Sequence, residues 1–175
     1  MTKNNSMKVK ALIGAVLCIT YVALSVAVAA PHAPHVTAEK VQAPLPLPYD
    51  EAADAKAAVA AGIAKAKASG KYLLLDFGGN WCPDCRVMAA VLELDEVAPA
   101  FKRDFELVTV DVGRFNKNLD IAQVYGVTVK AVPAVIILDQ NGKFVNAGNP
   151  TALSNARAMT PQAIVDTIYG WIGAR

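Results

Sequence analysis

The sequence predicts an α/β domain, with one mixed central sheet of about four strands flanked by helices on both faces. Three observations point there. Apolar runs of strand length recur at 71–77, 105–112 and 134–139. Helical stretches with their own start and stop signals separate them. A hairpin signal, Asn141-Gly142, follows the third run and precedes a last helix. Near-continuous apolar strands are those of buried parallel sheets, and alternation with helices implies crossover connections.

Two segments precede that domain. Residues 11–30 carry no charge in twenty positions and follow Lys3, Lys8 and Lys10, with no acidic residue before them. A basic start followed by an apolar run is an export signal, and Ala27-Val28-Ala29 offers a small-x-small cleavage pattern. About 20 apolar residues also suffice to span a bilayer, so residues 1–30 are expected to be an export signal or an N-terminal membrane anchor. Cys18 is no lipoprotein cysteine, because Leu17 stands where a small residue is needed. Beyond residue 30, 14 Lys and Arg face 15 Asp and Glu, so the charge balance asks for neither nucleic acid nor an anionic surface. Residues 31–48, PHAPHVTAEKVQAPLPLP, are proline-rich and aperiodic, as an extended linker is. His32 and His35 are the only histidines and fall in this linker. An amino-terminal copper site there is disfavoured, because Pro31 has no N–H to give up.

The domain is expected to span 49–175. Asp50 caps an alanine-rich helix that Gly70 stops, and KYLLLDF is the first strand. After two cysteines, Val87, Val91, Leu94 and Ala98 share a helix face that Pro99 ends. FELVTVDV is the second strand, NLDIAQVYG a short helix, AVIILD the third strand and KFVNAG the fourth. Thr160-Pro161 opens the last helix, to about Ile172. The long segment 149–162 reads as a packed loop or a partner surface.

FGGNWCPDC, 77–85, holds the chemistry. Outside the targeting segment the chain has just two cysteines, Cys82 and Cys85. A bridge across so small a loop stabilises little, so a structural staple explains it poorly. A metal clip needs about four ligands, and one CxxC without a domain histidine supplies two. A reversible dithiol remains. Cys82 sits where a strand gives way to a helix, and free N–H groups and the helix dipole favour its thiolate there. Pro83 is tolerated in the first turn. Cys82 attacks a substrate disulfide, and Cys85, one turn on and more buried, resolves the mixed disulfide. Asp76, between LLL and Phe77, is the candidate base for Cys85: a buried carboxylate of raised pKa.

LLLDFGGNWCPDC, with its Asp six residues before the first cysteine, together with KAVPAVIIL, resembles the thioredoxin family across about 50–173. The resemblance implies a thioredoxin-like fold and a cis Val132–Pro133 bond beside the dithiol. It places Trp81, Pro83, Asp84, Val132 and Pro133 against the substrate, whose backbone pairs at the Val132–Pro133 main chain. With the export segment, the chain is similar to an exported bacterial member with a WCPDC site. It departs from the family in four places. No first strand is evident before the Ala-rich helix, Leu107 stands where a Lys often faces the buried Asp, two extra residues sit in YGVTVKAVP, and 149–162 is long.

Asp84 puts a negative charge beside Cys82, which opposes the thiolate and destabilises the reduced form. The expectation is therefore a protein-disulfide reductase or exchange protein of the periplasm, with no cofactor and no metal. Its partners would be disulfide-containing envelope proteins and a membrane electron donor. The alternatives are a disulfide oxidant or isomerase, and, from other classes, a redox-inert binding module or a copper-delivery protein.

Overall fold

The computed structural model describes residues 31–173, so the stretch expected to be an export signal or membrane anchor lies outside the described residues. Helix α1 (Ala55–Ser69) leads into strand β1 (Tyr72–Gly78). Helices α2 (Pro83–Leu92) and α3 (Ala98–Asp104) follow, then strand β2 (Phe105–Asp111), helix α4 (Leu119–Gln123) and strand β3 (Ala134–Leu138). A single 3-10 turn, Ala156–Ala158, precedes helix α5 (Pro161–Trp171). The strand order is β2-β1-β3, with β2 parallel to β1 and β3 antiparallel.

Strand alternation sorts the core into two layers. Leu73, Leu75 and Phe77 turn to one face, where they pack with Val59 and Ala66 of α1 and Ile121 of α4. Leu74 turns to the other, with Met88 and Val91 of α2, Phe101 of α3 and Ile164 and Ile168 of α5. Asp76 and Gly78 are the next two residues on that second face. The mixed sheet with helices on both faces is as expected.

Several elements differ from the expectation. The fourth strand is reduced to one bridge, Leu138 to Phe144. The reason is Asn146: its buried amide accepts from Ile137 N–H at 2.7 Å and donates to Val135 C=O at 2.8 Å. A side chain thus takes the place of a strand backbone along the edge of β3, leaving three strands. Helix α2 stops at Leu92, and Pro99 lies in the first turn of α3, where a missing N–H costs nothing. Asp54, not Asp50, caps α1, accepting from Ala57 N–H at 3.0 Å. Asp50 closes a turn with Ala52 N–H instead.

Residues 31–48 form no helix or strand, yet they are strapped to the domain. Val36 is buried, its N–H donating to Gln162 of α5. Arg86 of α2 donates to Leu45 C=O at 2.7 Å and to Pro46 C=O at 2.9 Å. Thr109 of β2 donates to Pro48 C=O. Prolines offer no N–H, so around Pro46 and Pro48 the segment is held through its carbonyls. Among the described residues no helix is long and apolar enough to cross a membrane.

Candidate active site

The dithiol lies at the carboxyl end of β1. Gly79, Asn80 and Trp81 turn the chain, and Cys82 is the N-cap of α2, with Pro83 in its first turn. Cys85 N–H donates to Cys82 Sγ at 3.1 Å, so the sulfur occupies the place of a capping oxygen. Cys82 and Cys85 are joined as a disulfide. Cys82 is 3% exposed and Cys85 fully buried, so reagents arrive at Cys82 first. The Val132–Pro133 bond is cis, and Val132 C=O stands 3.7 Å from Cys82 Sγ. Pairing of Phe77 with Ala134 is what brings that loop alongside the turn.

Behind the disulfide, Asp76 is fully buried on the α2 face of β1. One carboxylate oxygen, Oδ2, accepts from the Tyr49 hydroxyl at 2.7 Å, and Oδ1 has no partner. Burial pushes the carboxyl up to about 7, and the Tyr49 hydrogen bond pulls against that rise. Tyr49 is buried too, and desolvation, aided by the Asp76 charge, holds its hydroxyl protonated well above the usual tyrosine range. Asn80 fixes the Tyr49 backbone from the active-site turn. It accepts from Tyr49 N–H at 3.1 Å and donates to Tyr49 C=O at 2.8 Å. Leu107 pairs with Leu74, whereas Asp76 faces Thr109. The partner of the buried acid is therefore Tyr49, just after the 31–48 strap, rather than a residue of β2.

Asp84 departs from its expected role in two ways. It points inward, 7% exposed, rather than to a substrate rim. Its charge is also matched: Arg157 donates from its backbone N–H at 2.9 Å, and its guanidinium Nε lies 3.2 Å from both carboxylate oxygens. The reason is position. The second residue of α2 faces the 3-10 turn of segment 149–162, and that turn presents Arg157. Asp84 and Arg157 together are a neutral pair, not a free negative charge on Cys82. The segment itself is packed, with Leu153 and Ala156 fully buried.

Trp81 stays half-buried on the rim. Its indole N–H donates to Gly113 C=O at 2.6 Å, the Arg114 guanidinium stacks 4.5 Å from its ring centroid, and Phe115 meets it edge-on. Tyr49, Asn80, Arg157 and the 113–115 loop were not singled out as site residues from the sequence. The only local signals were the tyrosine at the domain start and the unusual length of 149–162. Among the described residues no group of three or more His, Cys, Asp or Glu side chains is arranged to hold a metal ion.

Comparison with known proteins agrees with this geometry. A family model described as thioredoxin-like matches residues 54–140. A thioredoxin of Mycoplasmoides gallisepticum is 34% identical over 76 residues, covering 43% of this chain and 67% of that protein. The crystal structure of a disulphide isomerase from Xylella fastidiosa Temecula1 is 38% identical, with a TM-score of 0.67, and the match covers 72% of this chain and 97% of that one. A DsbH oxidoreductase, 21% identical with a TM-score of 0.51 over 66% of this chain and 82% of that one, shares the fold. From its sheet, its Cys82–Cys85 turn and these relatives, the chain belongs to the thioredoxin-like family of disulfide oxidoreductases.

Proposed function

We propose that the protein is a protein-disulfide reductase or exchange catalyst of the cell envelope. The observation that carries the reading is the ranking of the two sulfurs: Cys82 on the helix N-terminus beside Val132 C=O, and Cys85 fully buried toward Asp76. In the reduced protein the Cys82 thiolate attacks a substrate disulfide, and one substrate sulfur leaves as a thiolate. Cys85 then gives its proton toward Asp76 and attacks Cys82 Sγ. The Cys82–substrate bond breaks, the second substrate thiol is released, and the Cys82–Cys85 disulfide is left. A carboxyl titrating near 7 is suited to accept that proton at neutral pH.

The reducing direction is supported by what surrounds Cys82. No cation lies between the cysteines, and the Arg157 guanidinium is spent on Asp84. The thiolate is thus favoured by the helix terminus without an added positive charge, and the reduced form is not strongly stabilised. An envelope location is supported by the basic, then apolar, residues 1–30. In an oxidising compartment a reductase must be recharged, so a membrane electron donor is part of the proposal, with disulfide-containing envelope proteins as substrates. A second reading, isomerisation, is favoured by the Xylella relative that is named for it.

The test is a trap. Cys85→Ser should leave partners covalently held on Cys82, released by dithiothreitol, whereas Cys82→Ser should hold none. Partners trapped by Cys82→Ser and not by Cys85→Ser would reverse the assigned roles.

A further inference from the structure

Gly78 is the key to an arrangement that the family match does not include, since Tyr49 precedes residues 54–140. Gly78 follows Asp76 on the α2 face of β1. A β-carbon there would run into the Tyr49 hydroxyl and stand 2.8 Å from Cys85 Sγ. The hydroxyl and the sulfur therefore border the same small space, which the glycine leaves free. From that space the hydroxyl reaches Asp76 Oδ2 at 2.7 Å, and Asn80 clamps the Tyr49 backbone on both sides.

We propose that Tyr49 is the proton-positioning residue of this site, linking the Asp76 carboxylate to the Cys85 thiol through its hydroxyl. The inference rests on the reading of Asp76 as the base for Cys85. In the resolving step the Cys85 S–H proton moves to the Tyr49 oxygen while the Tyr49 O–H proton moves to Asp76 Oδ2. Tyrosine ends as it began, the carboxyl is protonated, and the Cys85 thiolate carries the electron pair that forms the bond to Cys82 Sγ. The substrate thiolate leaves with the electrons of the broken bond. Because burial keeps the hydroxyl protonated, it serves as a conduit and not as a phenolate base.

Asp76 can then lose its proton on its other side. It lines a pocket of about 440 Å³ beneath Pro48, between α2, α3 and β2. The charged groups facing that pocket are Lys71, Glu93, Lys102 and Glu106, with Lys71 and Glu106 paired at 2.9 Å. On the Tyr49 side the further carboxylate whose charge acts on the hydroxyl is Asp111, which is ion-paired with Lys117. The strap through residue 49 is thereby a working part of the active site, holding the hydroxyl at one end and covering the proton exit at Pro48.

The test uses the full chain with Tyr49→Phe, which keeps the ring in place. The mixed disulfide of Cys82 with glutathione is formed by mixing reduced protein with glutathione disulfide. Its resolution by Cys85 is then followed between pH 5.5 and 9.5 by acid quench and mass analysis. Removing a donor that favours the ionised carboxylate should move the pH midpoint of resolution up by about one unit. The rate near neutrality should fall about tenfold, with the variant approaching wild type at the alkaline end. An unchanged profile, or a drop equal at every pH, would overturn the role of Tyr49. Asp76→Asn alone separates the two readings. If it leaves the profile untouched, Asp76 is not the base. If it shifts the profile while Tyr49→Phe does not, only the inference about Tyr49 fails. In the Asp76→Asn background, Tyr49→Phe should add no further loss.

Discussion

Replacing Asp76 by Asn tests the buried carboxyl through stability alone, with no assumption about substrate. In the unfolded chain the carboxyl titrates near its ordinary value of 3.8, and in the fold burial pushes it up to about 7. The folded pKa is raised, so the stability tied to this group is fully present below about 4 and is lost as pH climbs to 7. About three pH units at ~1.4 kcal/mol each give a loss of about 4 kcal/mol between acid and neutral conditions. Asparagine does not titrate, and its oxygen can still accept from Tyr49. Its amide nitrogen, however, falls where Oδ1 already lacks a partner, a cost of about 1–3 kcal/mol at every pH. The variant should therefore be less stable than wild type at pH 4 and more stable, by about 1–3 kcal/mol, at pH 8. Urea unfolding of the oxidised proteins at several pH values measures this. The difference between the two proteins isolates the one group, since every other titration is common to both. If the two stability curves run parallel from pH 4 to 8, the carboxyl is not the desolvated acid described here.

Two further substitutions follow from the same geometry. Arg157→Gln removes the cation matched to Asp84 and should shift the reduction potential to more negative values, by roughly 30 mV for a tenfold change in the equilibrium. Asp84→Asn leaves the cation unmatched and should shift it the other way. Equilibration with glutathione reads both, and equal potentials would sever the pair from the redox chemistry. Gly78→Ala should cost about 1–3 kcal/mol in urea unfolding, because its β-carbon meets Tyr49 and Cys85 in a packed site. An alanine variant as stable as wild type would mean that the space between them is not tight.

What the sequence revealed was mostly local. The first strand, the two cysteines, Asp76 and the helix opening at Pro161 are read from neighbours in the chain, and they lie where those neighbours put them. What it hid depends on distant partners. Asp84 looked like a free charge because Arg157 is 73 residues away. Asp76 looked unpartnered because its donor, Tyr49, precedes it by 27 residues across a helix. The fourth strand failed for a similar reason: a β-prone KFVNAG run cannot announce that Asn146 will fold its own amide onto the edge of β3. Pro99 shows the ambiguity of proline, which ends one helix or begins the next with equal local logic. Prolines in 31–48 suggested a free linker, and only the folded surface shows Arg86 and Gln162 waiting for its backbone groups.

If Cys82 and Cys85 are a reversible dithiol poised to reduce protein disulfides, their reduction potential must show it. Redox titration of the protein against a glutathione buffer, quenched with acid and read by thiol labelling, addresses it directly. A disulfide reductase gives a single two-electron transition with a midpoint on the reducing side of about −200 mV, toward the thioredoxin value near −270 mV. A midpoint near −120 mV, as in a strong oxidant, or a disulfide that never enters the equilibrium, would contradict it.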